Sequence, residues 1–120
     1  MTFMTAERAA LAETVRDFTA DRIAPNLDQW EREGELPRDL HKQAAALGLL
    51  GVGYPEDVGG SGGDLGDVIV VTESVLAAGG SGGVIAGLFT HGIAIPHIID
   101  SGNEDLIDTW VRPVLAGEKI

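Results

Sequence analysis

Cysteine is absent from the 120 residues, so neither a disulfide framework nor thiolate chemistry is available, which fits a reducing, cytoplasmic interior. Basic residues are scarce: 8 Lys and Arg face 19 Asp and Glu, for a formal charge of −11 at pH 7. A chain so acidic repels phosphate backbones and anionic lipid, which argues against nucleic-acid and membrane-surface roles. No apolar run approaches the roughly 18 residues of a membrane-spanning helix. Met1 to Arg8 also lacks a basic stretch followed by an apolar core, so no leader or anchor is expected. What the chain does have is 44% hydrophobic residues within the length of one domain, enough to bury a core.

Apolar residues recur at helical spacing. Leu11, Val15, Phe18 and Ile23 follow a Thr5 cap, with Glu7 in the first turn where the helix dipole favours a negative charge. Pro25 ends or kinks that helix and starts a short one carrying Leu27 and Trp30, which Gly34 stops. Pro37 opens another with Leu40, Ala44 and Leu47 on one face, closed at Gly48. The stretch GVGYPEDVGGSGG, Gly51 to Gly63, is too rich in glycine to be anything but loop and tight turn.

Asp64 caps Leu65 to Ala78. Its β-branched run Val68 to Val71 reads locally as a buried strand, but the segment continues unbroken through Leu76, longer than most strands, and so is read as a buried helix. Ser81 caps a segment from Gly82 to Ile93; Pro96 begins a short helix ending near Gly102; Asn103 caps Glu104 to Trp110; Pro113 and Gly117 bracket the last turns. The pattern predicts an all-α chain of six or seven short helices with no substantial sheet.

The chemistry-bearing motifs are weak. Gly63 is followed by Asp64 and Gly83 by Val84 where a phosphate loop needs Lys and Ser or Thr, and Glu56 stands where a dinucleotide fingerprint needs its third glycine. His91 and His97, six apart, do not share a helical face, so no metal site is expected. Glu31, Glu33 and Glu35 read as a solvated face rather than an acid and base pair.

Four stretches taken together resemble the acyl-CoA dehydrogenase family: VRDFTADRIAPNLDQWEREGELPRDL (Val15 to Leu40), AALGLLGVGYPEDVGGSGGD (Ala45 to Asp64), HGIAIPHIIDSGNEDL (His91 to Leu106) and WVRPVLAGEKI (Trp110 to Ile120). They run in order over nearly the whole chain. The resemblance implies that residues 1–120 form the amino-terminal helical domain, a roughly antiparallel bundle. It implies a parent oxidoreductase that uses FAD for α,β-dehydrogenation of an acyl-CoA in fatty acid metabolism. An electron-transfer flavoprotein would be the acceptor and a homo-oligomer the working form. An oxidase or flavin monooxygenase on the same architecture is a variant within the class.

In such enzymes the flavin-contacting motif lies in a β-barrel domain and the catalytic carboxylate in a carboxy-terminal helical domain. Neither is found in this sequence, so no catalytic and no cofactor-binding residue is assigned, and the fragment alone is expected to be inactive and not to bind FAD. The resemblance places one wall of the acyl pocket at Ile85, Ala86, Phe89, Thr90 and Ile93, where residues 85, 89 and 93 step by four along one helix face. An apolar stripe at that spacing is also what ordinary core residues show. From a different functional class stands a self-standing acidic helical module for binding or oligomerisation, without flavin. A domain belonging to a larger enzyme should expose an apolar face around Ile85 to Ile93 that a self-standing one would cover.

Overall fold

The computed structural model describes residues 2–120; Met1, the first residue of the segment read for a leader, lies outside the described residues. Helix α1 (Ala6–Phe18) begins where the Thr5 hydroxyl accepts the Arg8 amide at 3.2 Å, with Glu7 in its first turn. Ala12, Val15 and Phe18 come round to one side and are all buried. The backbone then widens into a π turn over Thr19–Ile23, tightens into a 3₁₀ turn over Ala24–Asn26 and continues as α2 (Leu27–Glu33), which Gly34 ends at φ +77°. Pro25 accounts for the widening: it has no N–H to donate and its ring crowds the carbonyl four residues back, so the turn at Asp21 opens.

Helix α3 (Arg38–Ala46) starts after Pro37 and buries Leu40, His41 and Ala44. Leu47, expected on the same face, is instead 50% exposed, because regular helix stops at Ala46 and the chain reverses at Gly48, φ +75°. The glycine-rich stretch that follows is a tied loop. The Ser61 hydroxyl donates to the Gly48 carbonyl at 2.6 Å, the Ser61 amide to the Gly51 carbonyl at 2.8 Å, and the Gly62 amide to the Tyr54 carbonyl at 2.8 Å. A Cβ on Gly60 would lie 2.2 Å from the Tyr54 carbonyl oxygen, so only glycine lets the two arms approach this closely. Among the described residues the Val52 and Gly62 pairing is the sole β-bridge, and no strand forms.

Helix α4 (Leu65–Ala77) opens with a reciprocal cap in which Asp64 and Asp67 each accept the other's amide. The β-branched run is helical, as its length predicts, but it is not buried all round. Val70, Val71, Ser74 and Val75 face inward, whereas Leu65 is 73%, Ile69 42% and Leu76 49% exposed. Helix α5 (Gly82–Leu88) is capped by Ser81, followed by a 3₁₀ turn over Thr90–Ile93, α6 (Ile95–Ser101) and α7 (Glu104–Leu106), which Asn103 caps. A second π turn, Ile107–Val111, precedes α8 (Arg112–Leu115) and its Pro113. Here the Thr109 carbonyl, deprived of its donor by Pro113, accepts the Lys119 ammonium at 2.8 Å.

These α segments join into six continuous helical runs among the described residues, within the six or seven expected. One pair departs from the antiparallel expectation: α1 and α4 run side by side in the same direction. Arg8 binds Asp64 at 3.0 Å and Asp67 at 3.1 Å at one end, and a Cβ on Gly79 would sit 3.3 Å from Ala24 at the other. The long excursion through α2, α3 and the tied loop brings the chain back to start α4 beside the start of α1. The main core gathers Val15, Ile23, Leu40, Leu50, Val75 and Leu88; a smaller one under α6 to α8 gathers Val58, Ile95, Ile107 and Val111. No described helix is long and apolar enough to cross a membrane.

Candidate functional site: an apolar cavity between the tied loop and α4

Where α4 passes the tied loop, a cavity of about 130 Å³ remains. The loop supplies Leu49, Leu50, Val52 and Tyr54, α4 supplies Val68, Val71 and Thr72, and the stretch after α5 supplies Phe89, His91 and Gly92. Its walls are apolar except at Tyr54, Thr72 and His91. The His91 Nε2–H donates to the Leu50 carbonyl at 2.9 Å, which fixes the ring and leaves Nδ1 as an acceptor when the ring is neutral. Burial is the main influence on that ring and holds it below its ordinary 6.5, against the opposing pull of the Leu50 carbonyl, so it is neutral at pH 7. Burial likewise pushes the Tyr54 phenol up from its ordinary 10.0 and keeps it protonated. The Tyr54 and His91 rings lie 5.8 Å apart, and Phe89 and His91 6.4 Å. The Thr72 hydroxyl is spent on the Val68 carbonyl at 3.1 Å.

Such a cavity can receive an uncharged apolar group and offer it a phenol donor and an imidazole acceptor. It holds no nucleophile set against a base. His91 also borders a second cleft, of about 250 Å³, with Ala94, Ile98, Trp110 and Ile120. One side chain therefore separates the two hollows.

The five residues assigned to the acyl wall do not lie on one helix face, because α5 ends at Leu88 and Phe89 leaves helical geometry at φ −111°, ψ 22°. Phe89 alone enters the cavity. Ile85 and Phe89 are half-buried against the main core, while Ala86 and Thr90 are exposed and Ile93 is 78% exposed. A core role is thus open to Ile85 and Phe89 and closed to Ile93. Sequence reasoning passed over Tyr54 and Thr72 and weighed His91 only as a metal ligand. The one usable signal was a lone tyrosine held inside a glycine-rich loop, the only Tyr in the chain.

Residues 5–118 match the family model described as the acyl-CoA dehydrogenase N-terminal domain. The mitochondrial long-chain specific acyl-CoA dehydrogenase of Sus scrofa is 33% identical over 95% of this chain and 26% of its own length. A crystal structure of a probable acyl-CoA dehydrogenase from Mycobacterium abscessus superposes with a TM-score of 0.97 at 57% identity, covering 99% of this chain and 32% of that one. The caffeyl-CoA reductase-Etf complex subunit CarC of Acetobacterium woodii is 25% identical over 98% of this chain and 31% of its own. The chain spans about a quarter to a third of the length of these relatives. By sequence and by fold, it belongs to the acyl-CoA dehydrogenase family, as that family's amino-terminal domain.

Proposed function

We propose that this domain forms the amino-terminal wall of the acyl pocket in a cytoplasmic, FAD-dependent acyl-CoA dehydrogenase, a homo-oligomer that desaturates the α,β bond and passes electrons to an electron-transfer flavoprotein. The single observation that carries the reading is the apolar surface left open on a domain whose family is known. Leu65, Ile69 and Leu76 on α4 and Ile93 after α5 face solvent at 42 to 78% exposure. Covering several such side chains is worth on the order of a few kcal/mol, which a larger enzyme recovers and a solitary domain does not. Within that wall Phe89 lines the apolar cavity beside Tyr54 and His91; Ala86, Thr90 and Ile93 stand open to the ligand, and Ile85 backs them from the core.

The chain contributes binding and exclusion of water rather than chemistry. As the family resemblance implies, the flavin seat and the catalytic carboxylate belong to a β-barrel domain and a carboxy-terminal helical domain outside this sequence, and the 120 residues alone are inactive. The Etf-complex relative supports the choice of electron acceptor.

The test uses the full-length parent, assayed for enoyl-CoA product from saturated acyl-CoAs, beside the Ile93→Glu variant. The reading expects product with the parent, and a KM for acyl-CoA raised about tenfold or more by a charge on the wall, equivalent to about 1.4 kcal/mol. A colourless parent that makes no enoyl-CoA would overturn the reading. It would favour a self-standing helical binding or oligomerisation module, which must cover these apolar side chains with copies of itself or with a partner.

A further inference from the structure

A further groove lies between α2 and α5, on the helix that also carries Ile85 and Ala86. It encloses about 250 Å³ over a floor of Leu27, Trp30 and Leu36, with Glu31 and Glu35 on its rim and Gly83 as its far lip. The floor is continuous with the main core, which holds Trp30 in place half-buried. The Ser81 hydroxyl donates to Glu31 Oε1 at 3.1 Å and steadies that carboxylate at the groove edge. Among the described residues neither Glu31 nor Glu35 has an ion-pair partner. Arg22 is turned into the neighbouring cleft beyond Trp30, where Asp39 also lies.

An indole flanked by two unpaired carboxylates has the chemistry of a seat for one cationic side chain: the aliphatic stem lies on the apolar floor, the cation meets the ring face, and the rim supplies charge. Gly83 leaves the lip open. A Cβ there would lie 3.7 Å from Glu31 Oε1, and the residue is helical, so a larger side chain would narrow the groove without backbone strain.

We propose that this groove docks a protein partner through an arginine or lysine flanked by aliphatic residues. Charge complementarity selects that occupant over an acidic or wholly apolar one, since the chain carries a net charge of −11 and the groove's only charged lining residues are acidic. The proposal does not depend on the dehydrogenase reading.

The experiment titrates the 120-residue chain with the peptide acetyl-Ala-Leu-Arg-Leu-Ala-amide, following the Trp30 indole N–H by NMR, with the Glu-for-Arg peptide as control. The expected result is a saturable shift of the Trp30 signal with the arginine peptide alone, at a dissociation constant of about 1 mM as befits one anchoring side chain. Affinity should fall at least about fivefold in the Glu31→Gln/Glu35→Gln variant and again on raising salt from about 50 to about 300 mM. Gly83→Leu should abolish binding while leaving the helical circular dichroism intact. The proposal is overturned if the Trp30 signal does not move, if the glutamate peptide moves it equally, or if the folded Gly83→Leu and double-Gln variants bind unchanged.

Discussion

Helices α1 and α4 lie against each other over their lengths, yet they read in opposite ways. α1 follows a simple amphipathic rule: Ala12, Val15 and Phe18 are buried and charged residues occupy the outer face. α4 buries Val70, Val71 and Val75 on one side while showing Leu65, Ile69 and Leu76 on the other, with Glu73 the exposed charge among them. An apolar outer side of this kind is surface that a covering partner would bury. Within one pair, α1 presents a charged face to water and α4 a largely apolar one.

The strongest way to break that comparison is to charge the shared interface. Val75 is 1% exposed, and Val75→Asp would bury a carboxylate without a partner at a cost of about 3–5 kcal/mol, comparable to the whole stability of a small domain. Urea denaturation followed by circular dichroism should find the variant largely unfolded in buffer.

The two helix starts give the next largest contrast. Thr5→Ala removes one capping bond from α1 and should cost about 1 kcal/mol. Asp64→Ala should cost more, because it removes the Asp67 amide's acceptor and one arm of the Arg8 clamp together. Equal losses in thermal melts would show that the clamp contributes nothing.

Acid separates the α4 start from the cavity. Asp67 is held below its ordinary 3.8, first by the Asp64 amide and then by Arg8, so its contribution is complete above that pH and is lost as pH falls through the depressed value. His91 is held below 6.5, so the unfolded chain binds a proton first and stability begins to fall below about pH 6.5. His91→Phe should flatten the stability curve between that point and the carboxylate range. Asp67→Asn should flatten only its more acid limb, and an unchanged profile in either variant would remove that residue from the account.

The smallest effect on stability is expected on the outer face of α4. Ile69→Glu should change the unfolding free energy by less than about 0.5 kcal/mol, as exposed substitutions generally do, while lowering the binding of a hydrophobic dye. A large loss of stability there would mean that the face is already structural in this domain.

Much of the fold was legible because its punctuation is local: Thr5, Asp64, Ser81 and Asn103 all cap the helices they precede, and Gly34, Gly48 and Gly102 all take positive φ at helix ends. The length of the Val68 to Leu76 run was enough to override its strand propensity. Two matters were not legible. The π turns before Pro25 and Pro113 depend on how the backbone relieves a ring clash, which the sequence signals only as a kink or a stop. The candidate cavity depends on the tied loop folding back onto α4, a long-range packing event that no spacing rule encodes, and so Tyr54 and Thr72 were passed over. The apolar stripe at residues 85, 89 and 93 looked like one face because a spacing of four assumes the helix continues, and the chain leaves it at Phe89.

The most direct test of the central claim, that the bare face of α4 and the Ile93 region are interior surfaces of a larger flavoenzyme, is the intact mass and visible spectrum of the protein made from its natural gene. The account predicts a chain several times heavier than 12.5 kDa whose flavin absorption bleaches when an acyl-CoA is added without oxygen. A colourless protein of 12.5 kDa would contradict it and leave the apolar face to be explained by self-association.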